Sequence, residues 1–175
     1  WRNTLAAMTG LAIIGFVLFP LMPPRLLDAP CPKDNVGFGG ACIPHEMRNY
    51  NGALTFGFED TVEMYGGPLH FNSGAAAKLS NQYAAMPSLH IGWSTWCVFA
   101  LWPITKKRWQ RIALFLYPML TLFCIIVTGN HFWLDGLGGL IVFGVGYVIG
   151  TKIHNWNHHR LDLKLAAQMA SHPSH

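Results

Sequence analysis

Ile112-Ala113-Leu114-Phe115-Leu116-Tyr117-Pro118-Met119-Leu120-Thr121-Leu122-Phe123-Cys124-Ile125-Ile126-Val127-Thr128-Gly129-Asn130-His131-Phe132-Trp133-Leu134 runs without a single Lys, Arg, Asp or Glu. At about 1.5 Å of rise per residue, a helix of this length crosses the roughly 30 Å of hydrocarbon in a bilayer. Residues 3–24 and 79–105 are equally free of charge. Residues 136–151 reach spanning length if their helix starts nearer His131. Charged residues are 11% of the chain and apolar residues 51%, where soluble domains carry about a quarter charged. The expected fold is an all-α, polytopic membrane helical bundle with four transmembrane helices, a single membrane-embedded domain over residues 1–175.

The basic residues orient it. Arg2, then Lys106, Lys107, Arg108 and Arg111, then Lys152, Arg160 and Lys164 fall at the start, in the second connection and in the tail. Four helices threaded in succession place all of these on one side, which the positive-inside rule makes the cytoplasm. The other side receives a long segment between the first and second helices, about residues 21–79, and the short connection around Gly129 and Asn130. The expectation is a multi-pass protein of the plasma (inner) membrane with a cytoplasmic tail, about residues 152–175. The net charge of +4 is absorbed by this topology, and no nucleic-acid partner is inferred. No small-residue cleavage site follows residues 20–24, so the first segment reads as a retained helix rather than a signal peptide. Trp1 stands where an initiator methionine would, which leaves room for sequence upstream.

The long external segment carries Phe56, Phe58, Met64, Tyr65, Leu69 and Phe71 as interfacial anchors and is expected to cover something rather than merely connect. Cys31 and Cys42 lie in it among Pro and Gly. A disulfide between them is permitted by the compartment, but spacing leaves bridged and free thiols as equal readings. Cys97 and Cys124 read as small core side chains. In the tail, His154, His158, His159, His172 and His175 allow a metal site, though a solvated tail is the favoured reading.

Ionisable groups inside membrane helices are costly, and therefore functional candidates. His90 is expected at the outer end of the second helix, His131 and Asp135 at the outer end of the fourth, and Arg25 just past the outer end of the first. Alternating threading brings all four to one face. His131 and Asp135 are four residues apart and share one side of a helix. A carboxylate there can hold the proton on one imidazole nitrogen and leave a lone pair on the other, as in an oriented nucleophile or base. Arg25 offers a cationic fork to phosphate oxygens. Ser88 and the backbone N–H groups at the start of the second helix offer an anion site, and His90 a proton donor. Taken singly, each residue has a structural reading: a hydrogen-bonded interfacial His90, a snorkelling Arg25, an Asp135 that only makes burial of His131 tolerable. Four such coincidences on one face are the weaker account.

Ala85-Met86-Pro87-Ser88-Leu89-His90 and Gly129-Asn130-His131-Phe132-Trp133-Leu134-Asp135 closely resemble the second and third signature motifs of the type 2 phosphatidic acid phosphatase superfamily, and look most like its inositol phosphorylceramide synthase branch. The resemblance covers residues 20–151. It implies a lipid phosphatase or phosphotransferase that needs no metal or cofactor. His131 would attack phosphorus to form a phosphohistidine, Asp135 would orient it, His90 would protonate the leaving oxygen and Ser88 would help hold the phosphate. Arg25 occupies the place of the first-motif arginine. The superfamily's usual lysine seven residues earlier is Leu18 here, and Cys124-Ile125 stand where Ser-Arg is usual. Fewer cations suit a singly charged phosphodiester, and Lys78 or Lys33 of the external segment is a further candidate for phosphate contact. The resemblance also implies six helices in all, two of them upstream of Trp1. Partners would be a membrane lipid substrate and, for transfer, a second alcohol or lipid acceptor. Two other classes stand beside this one: a membrane cytochrome with His90 and His131 on haem, and a non-catalytic transporter or scaffold.

Overall fold

The computed structural model describes residues 1–19, 21–28, 57–59, 64 and 85–171. These contain four α-helices and no strand: α1 (Arg2–Leu18), α2 (Leu89–Leu101), α3 (Arg108–Val127) and α4 (Trp133–Ser171), with 3-10 turns at Pro24–Leu26 and Trp102–Ile104. Lys33, Lys78, Cys31 and Cys42, and with them most of the expected external segment, lie outside the described residues.

Two helices, α3 and α4, are long and apolar enough to cross a membrane by length and composition; α1 is apolar but shorter. Within the charge-free stretch 79–105, α2 has 13 residues and starts at the Ser88 N-cap, where the sequence places the helix start, and Trp102-Pro103-Ile104 tightens into a 3-10 turn after it. The tail from Lys152 is exposed, residues 151–169 throughout, and it continues α4 past the expected helix end near Thr151 as one 39-residue helix, about 59 Å long at 1.5 Å per residue.

Packing centres on α4. Gly136, Gly139, Phe143, Gly146 and Gly150 are buried at spacings of three and four, the seam of one helix face. Three of these glycines bring backbone against backbone: a Cβ on Gly139 would run into the carbonyl oxygen of Ser88, one on Gly146 into Met8, and one on Gly150 into Thr4. Helices meet through small residues in this way where the apolar effect gives no drive to association. On α1 the matching stripe is Thr4, Met8 and Ala12, four residues apart. Thr4 meets Gly150 and Met8 meets Gly146, so α1 and α4 are antiparallel. Ser88 meets Gly139 and Phe99 stacks near Phe143, so α2 runs parallel to α4. Trp93 Nε1 donates to Thr9 and Trp96 Nε1 to the carbonyl of Trp1, which sets α1 antiparallel to α2. The end of α1 and the starts of α2 and α4 therefore share one end of the bundle.

Candidate active site

His131 is placed by the chain reversal between α3 and α4. Gly129 has φ +67°, a left-handed conformation glycine takes at no steric cost, and the carbonyl of Ile125 accepts the N–H groups of both Asn130 and His131, at 3.0 and 3.1 Å. Asp135 is the third residue of α4. Its Oδ2 accepts the N–H of Phe132 at 2.8 Å, the return half of a capping box, which fixes the carboxylate in place. The same oxygen stands 3.4 Å from His131 Nδ1. That distance is an electrostatic contact rather than a formed hydrogen bond, and a shift of a few tenths of an ångström would close it. Both side chains are buried, His131 at 5% exposure and Asp135 at 3%.

The other nitrogen of His131 faces His90. Nδ1 of His90 and Nε2 of His131 are 3.2 Å apart, with ring centroids at 5.3 Å and planes crossing at 69°. His90 is in the first turn of α2 and keeps an exposed edge. His131 lies in the connection between α3 and α4; burial, and then the adjacent His90, hold its imidazole below the ordinary range, with Asp135 pulling the other way. It is therefore neutral near pH 7, with a lone pair to use.

Arg25 is buried in the 3-10 turn after α1. Its backbone N–H donates to the carbonyl of Gly129 at 2.9 Å, and a Cβ on Gly129 would come within 3.3 Å of Arg25 Cβ. The arginine is thus stitched by its backbone to the loop that carries His131. Ser88 is fully buried and holds the N-cap position of α2 without making a capping bond. Its N–H donates to the carbonyl of Asp135 at 2.9 Å. The anion site expected at the start of this helix can therefore draw on its hydroxyl and on the N–H groups of the first turn, but not on this one. The Ser88 hydroxyl has no hydrogen-bond partner, a deficit worth roughly 1–3 kcal/mol when left unmet.

His90, His131, Asp135, Ser88 and the backbone of Arg25 thus meet at one end of the bundle. Gly129 lies in the expected short connection and Gly139 is one of six glycines expected to permit close packing of the fourth helix, but nothing in the sequence assigns either a role at the site. The Gly129-Asn130 pair between two apolar runs is a turn signal, whereas Gly139 is one of several glycines in α4 and nothing local distinguishes it. The two positions that lack the superfamily's usual cations divide: Leu18 is 64% exposed, while Ile125 is buried with its carbonyl engaged as above.

A family model described as the PAP2 superfamily matches residues 1–149, a stretch that holds every one of these side chains. The chain belongs to the PAP2 superfamily. For a PAP2 protein, phosphatase or phosphotransferase activity is the general expectation, and the match ends where α4 emerges into its exposed extension. Comparison with curated proteins and with solved structures returned no match.

Proposed function

We propose that this PAP2 protein is an integral membrane lipid phosphatase or phosphotransferase working through a phosphohistidine on His131, at the extracytoplasmic face of a plasma membrane. The observation that carries the reading is the alignment of three groups: Asp135 behind Nδ1 of His131, and His90 in front of Nε2. With its Nδ1 proton drawn to the carboxylate, His131 presents a lone pair at Nε2. That lone pair attacks phosphorus, an N–P bond forms, and the P–O bond to the lipid alcohol breaks. His90 gives the departing oxygen its proton. Water or a second alcohol then attacks phosphorus, passing its proton to His90, and the N–P bond breaks. Phosphate must enter between the two rings, so they part when substrate binds. Arg25 and the unmet hydroxyl of Ser88 supply charge and a donor for the phosphate oxygens.

A lipid setting is supported by α3. Its only buried residue is Ile125, while Phe115, Leu116, Met119, Leu120, Phe123, Ile126 and Val127 are exposed, a surface a soluble core helix would not present. The four-helix threading, with the site outside, agrees with the antiparallel course of α1 against α2 and α4. Leu18 and Ile125 in place of cations favour a singly charged phosphodiester, and with it the inositol phosphorylceramide synthase-like branch. The cytochrome reading needs the two histidines on opposite faces of a haem; these nitrogens instead face each other in direct contact.

The test is turnover by the detergent-purified protein of phosphatidate, isoprenyl diphosphate and phosphatidylinositol, scored as free phosphate against a new phospholipid, with His131→Gln as control. Acid-labile phosphate trapped on the native protein and missing from the control is the expected result. Failure to turn over any of the three lipids would overturn the proposal.

A further inference from the structure

The end of the bundle away from the histidines carries its own concentration of charge. Between α2 and α3 the chain reads Trp102-Pro103-Ile104-Thr105-Lys106-Lys107-Arg108-Trp109-Gln110-Arg111, and Lys106, Lys107, Arg108 and Arg111 are all exposed. Residues 64–134 contain no Asp or Glu, so nothing near in the chain neutralises them. They also oppose one another and their own helix. Arg108 and Arg111 are three residues apart on α3, a spacing at which like charges destabilise a helix. Lys107 is the N-cap of α3, whose first turn has no acidic residue, and cations there face the positive end of the helix macrodipole. A cluster that costs the fold in this way is relieved by anions from outside.

Arg111 is prepared to receive one. Its guanidinium lies over the Trp102 ring, 5.2 Å from the centroid, and its Nε donates to the carbonyl of Thr105 at 3.1 Å. Thr105 is itself buried, with its hydroxyl donating to the carbonyl of Leu101 at 2.7 Å. The arginine is therefore fixed by its Nε and one face, and the fork of its two Nη groups remains for a phosphate, whose oxygens it matches in pairs. Beside these charges the surface is apolar: Ile104 is 71% exposed and Trp109 65%. A soluble anion would meet the cations and leave these side chains in water. A phospholipid covers both, with tryptophan at headgroup depth.

We propose that the α2–α3 connection is a headgroup site for an anionic phospholipid, its phosphate on the Arg111 fork, Lys106, Lys107 and Arg108 around it, and its upper acyl carbons against Ile104 and Trp109. The 13 residues of α2, about 20 Å of helix, separate this site from His90. It is therefore not the substrate site, and it does not rest on the enzymatic reading.

The experiment is native mass spectrometry of the full chain in detergent, titrated with phosphatidylglycerol or with phosphatidylcholine. Phosphatidylglycerol should be retained and phosphatidylcholine stripped. Lys106→Gln/Lys107→Gln/Arg108→Gln should weaken phosphatidylglycerol affinity by roughly 100-fold, at about fivefold for each cation beside an anionic headgroup. Arg111→Lys keeps the charge without the fork and should still weaken it. Lys152→Gln/Lys164→Gln removes cations from the exposed extension of α4 at the same end and should leave affinity unchanged. Thermal unfolding without anionic lipid checks the fold of each variant, and there the triple variant should melt no lower than the native chain, because its removal of like charges relieves repulsion. Should the triple variant fail to fold, Lys106→Gln/Lys107→Gln, both outside α3, takes its place. Equal retention of the two lipids, affinity unchanged by the substitutions at 106–108, or an equal loss in Lys152→Gln/Lys164→Gln overturns the proposal. Displacement of phosphatidylglycerol by an equal concentration of inorganic phosphate also overturns it, since the site would then be one for free anions.

Discussion

Replacing Gly150 with alanine tests the seam on which the site is built. A Cβ there would lie 2.5 Å from Thr4 N, 2.6 Å from Thr4 Oγ1 and 2.7 Å from Thr4 Cα, and one on Gly146 2.6 Å from Met8 Cβ and 2.9 Å from Met8 Cα and N, where 3.4 Å is ordinary contact. The first atoms met are largely backbone, so no rotamer change relieves them, and α1 must back away by roughly 0.7–0.9 Å to reach ordinary contact. Overpacking of this kind costs about 1–3 kcal/mol. For a chain of this size that is a fall of about 2–12 °C in Tm, at roughly 2–4 °C per kcal/mol. One displacement of α1 serves both positions, so Gly146→Ala and Gly150→Ala together should cost little more than the worse of the two alone. The internal control is Gly144→Ala, whose Cβ meets nothing within 4 Å and which gains up to about 1 kcal/mol in helix propensity. Tryptophan fluorescence during thermal unfolding in detergent reads the effect, since Trp1 packs against Tyr147 of α4 and Trp93 and Trp96 of α2 hold α1 from its other side by hydrogen bonds. If Gly150→Ala melts with Gly144→Ala, the close approach of α1 to α4 is not real.

Asp135→Asn should leave Tm almost unchanged, because an amide oxygen can still accept the Phe132 N–H, yet slow kcat by about 10⁴-fold through loss of the carboxylate that steers the tautomer; full activity in an initial-rate assay would remove Asp135 from its orienting role. Gly129→Ala combines a left-handed backbone, costing about 1–2 kcal/mol for a residue with a Cβ, with pressure on Arg25. It should raise KM for the phosphorylated lipid more than it lowers kcat, and Gly129→Asn, which tolerates the backbone but keeps the pressure, should recover Tm without recovering KM. Burial and the neighbouring His90 lower the pKa of His131, so its nucleophilic neutral form persists below the ordinary imidazole value near 6.5. As pH falls, kcat/KM should therefore drop with an acid limb centred below that value, and an acid limb well above it would contradict a buried, neutral nucleophile.

How much of this was legible in the sequence follows from what each feature is made of. A bilayer excludes charge residue by residue, so the apolar runs announce helices α1, α3 and α4 without any knowledge of their neighbours. His131 and Asp135 one helical turn apart, and Ser88 and His90 around a helix start, carry their chemistry in side chains; alternating threading then brings them to one end. What went unread is made of backbone. The N–H of Arg25 on the carbonyl of Gly129, and that of Ser88 on the carbonyl of Asp135, join segments far apart in the chain and leave no side-chain signature. The tail was half read: polar residues from Lys152 onward signal the exposure it has, while the Leu, Lys, Ala, Gln and Met of residues 161–171 are good helix formers that carry α4 on. The site is therefore an assembly in which side chains name the reaction, while glycines and unpaired backbone groups set the distances. Sequence records those last two only as a missing side chain at 129, 139, 146 or 150, and it takes the facing helix to show which of those omissions matters.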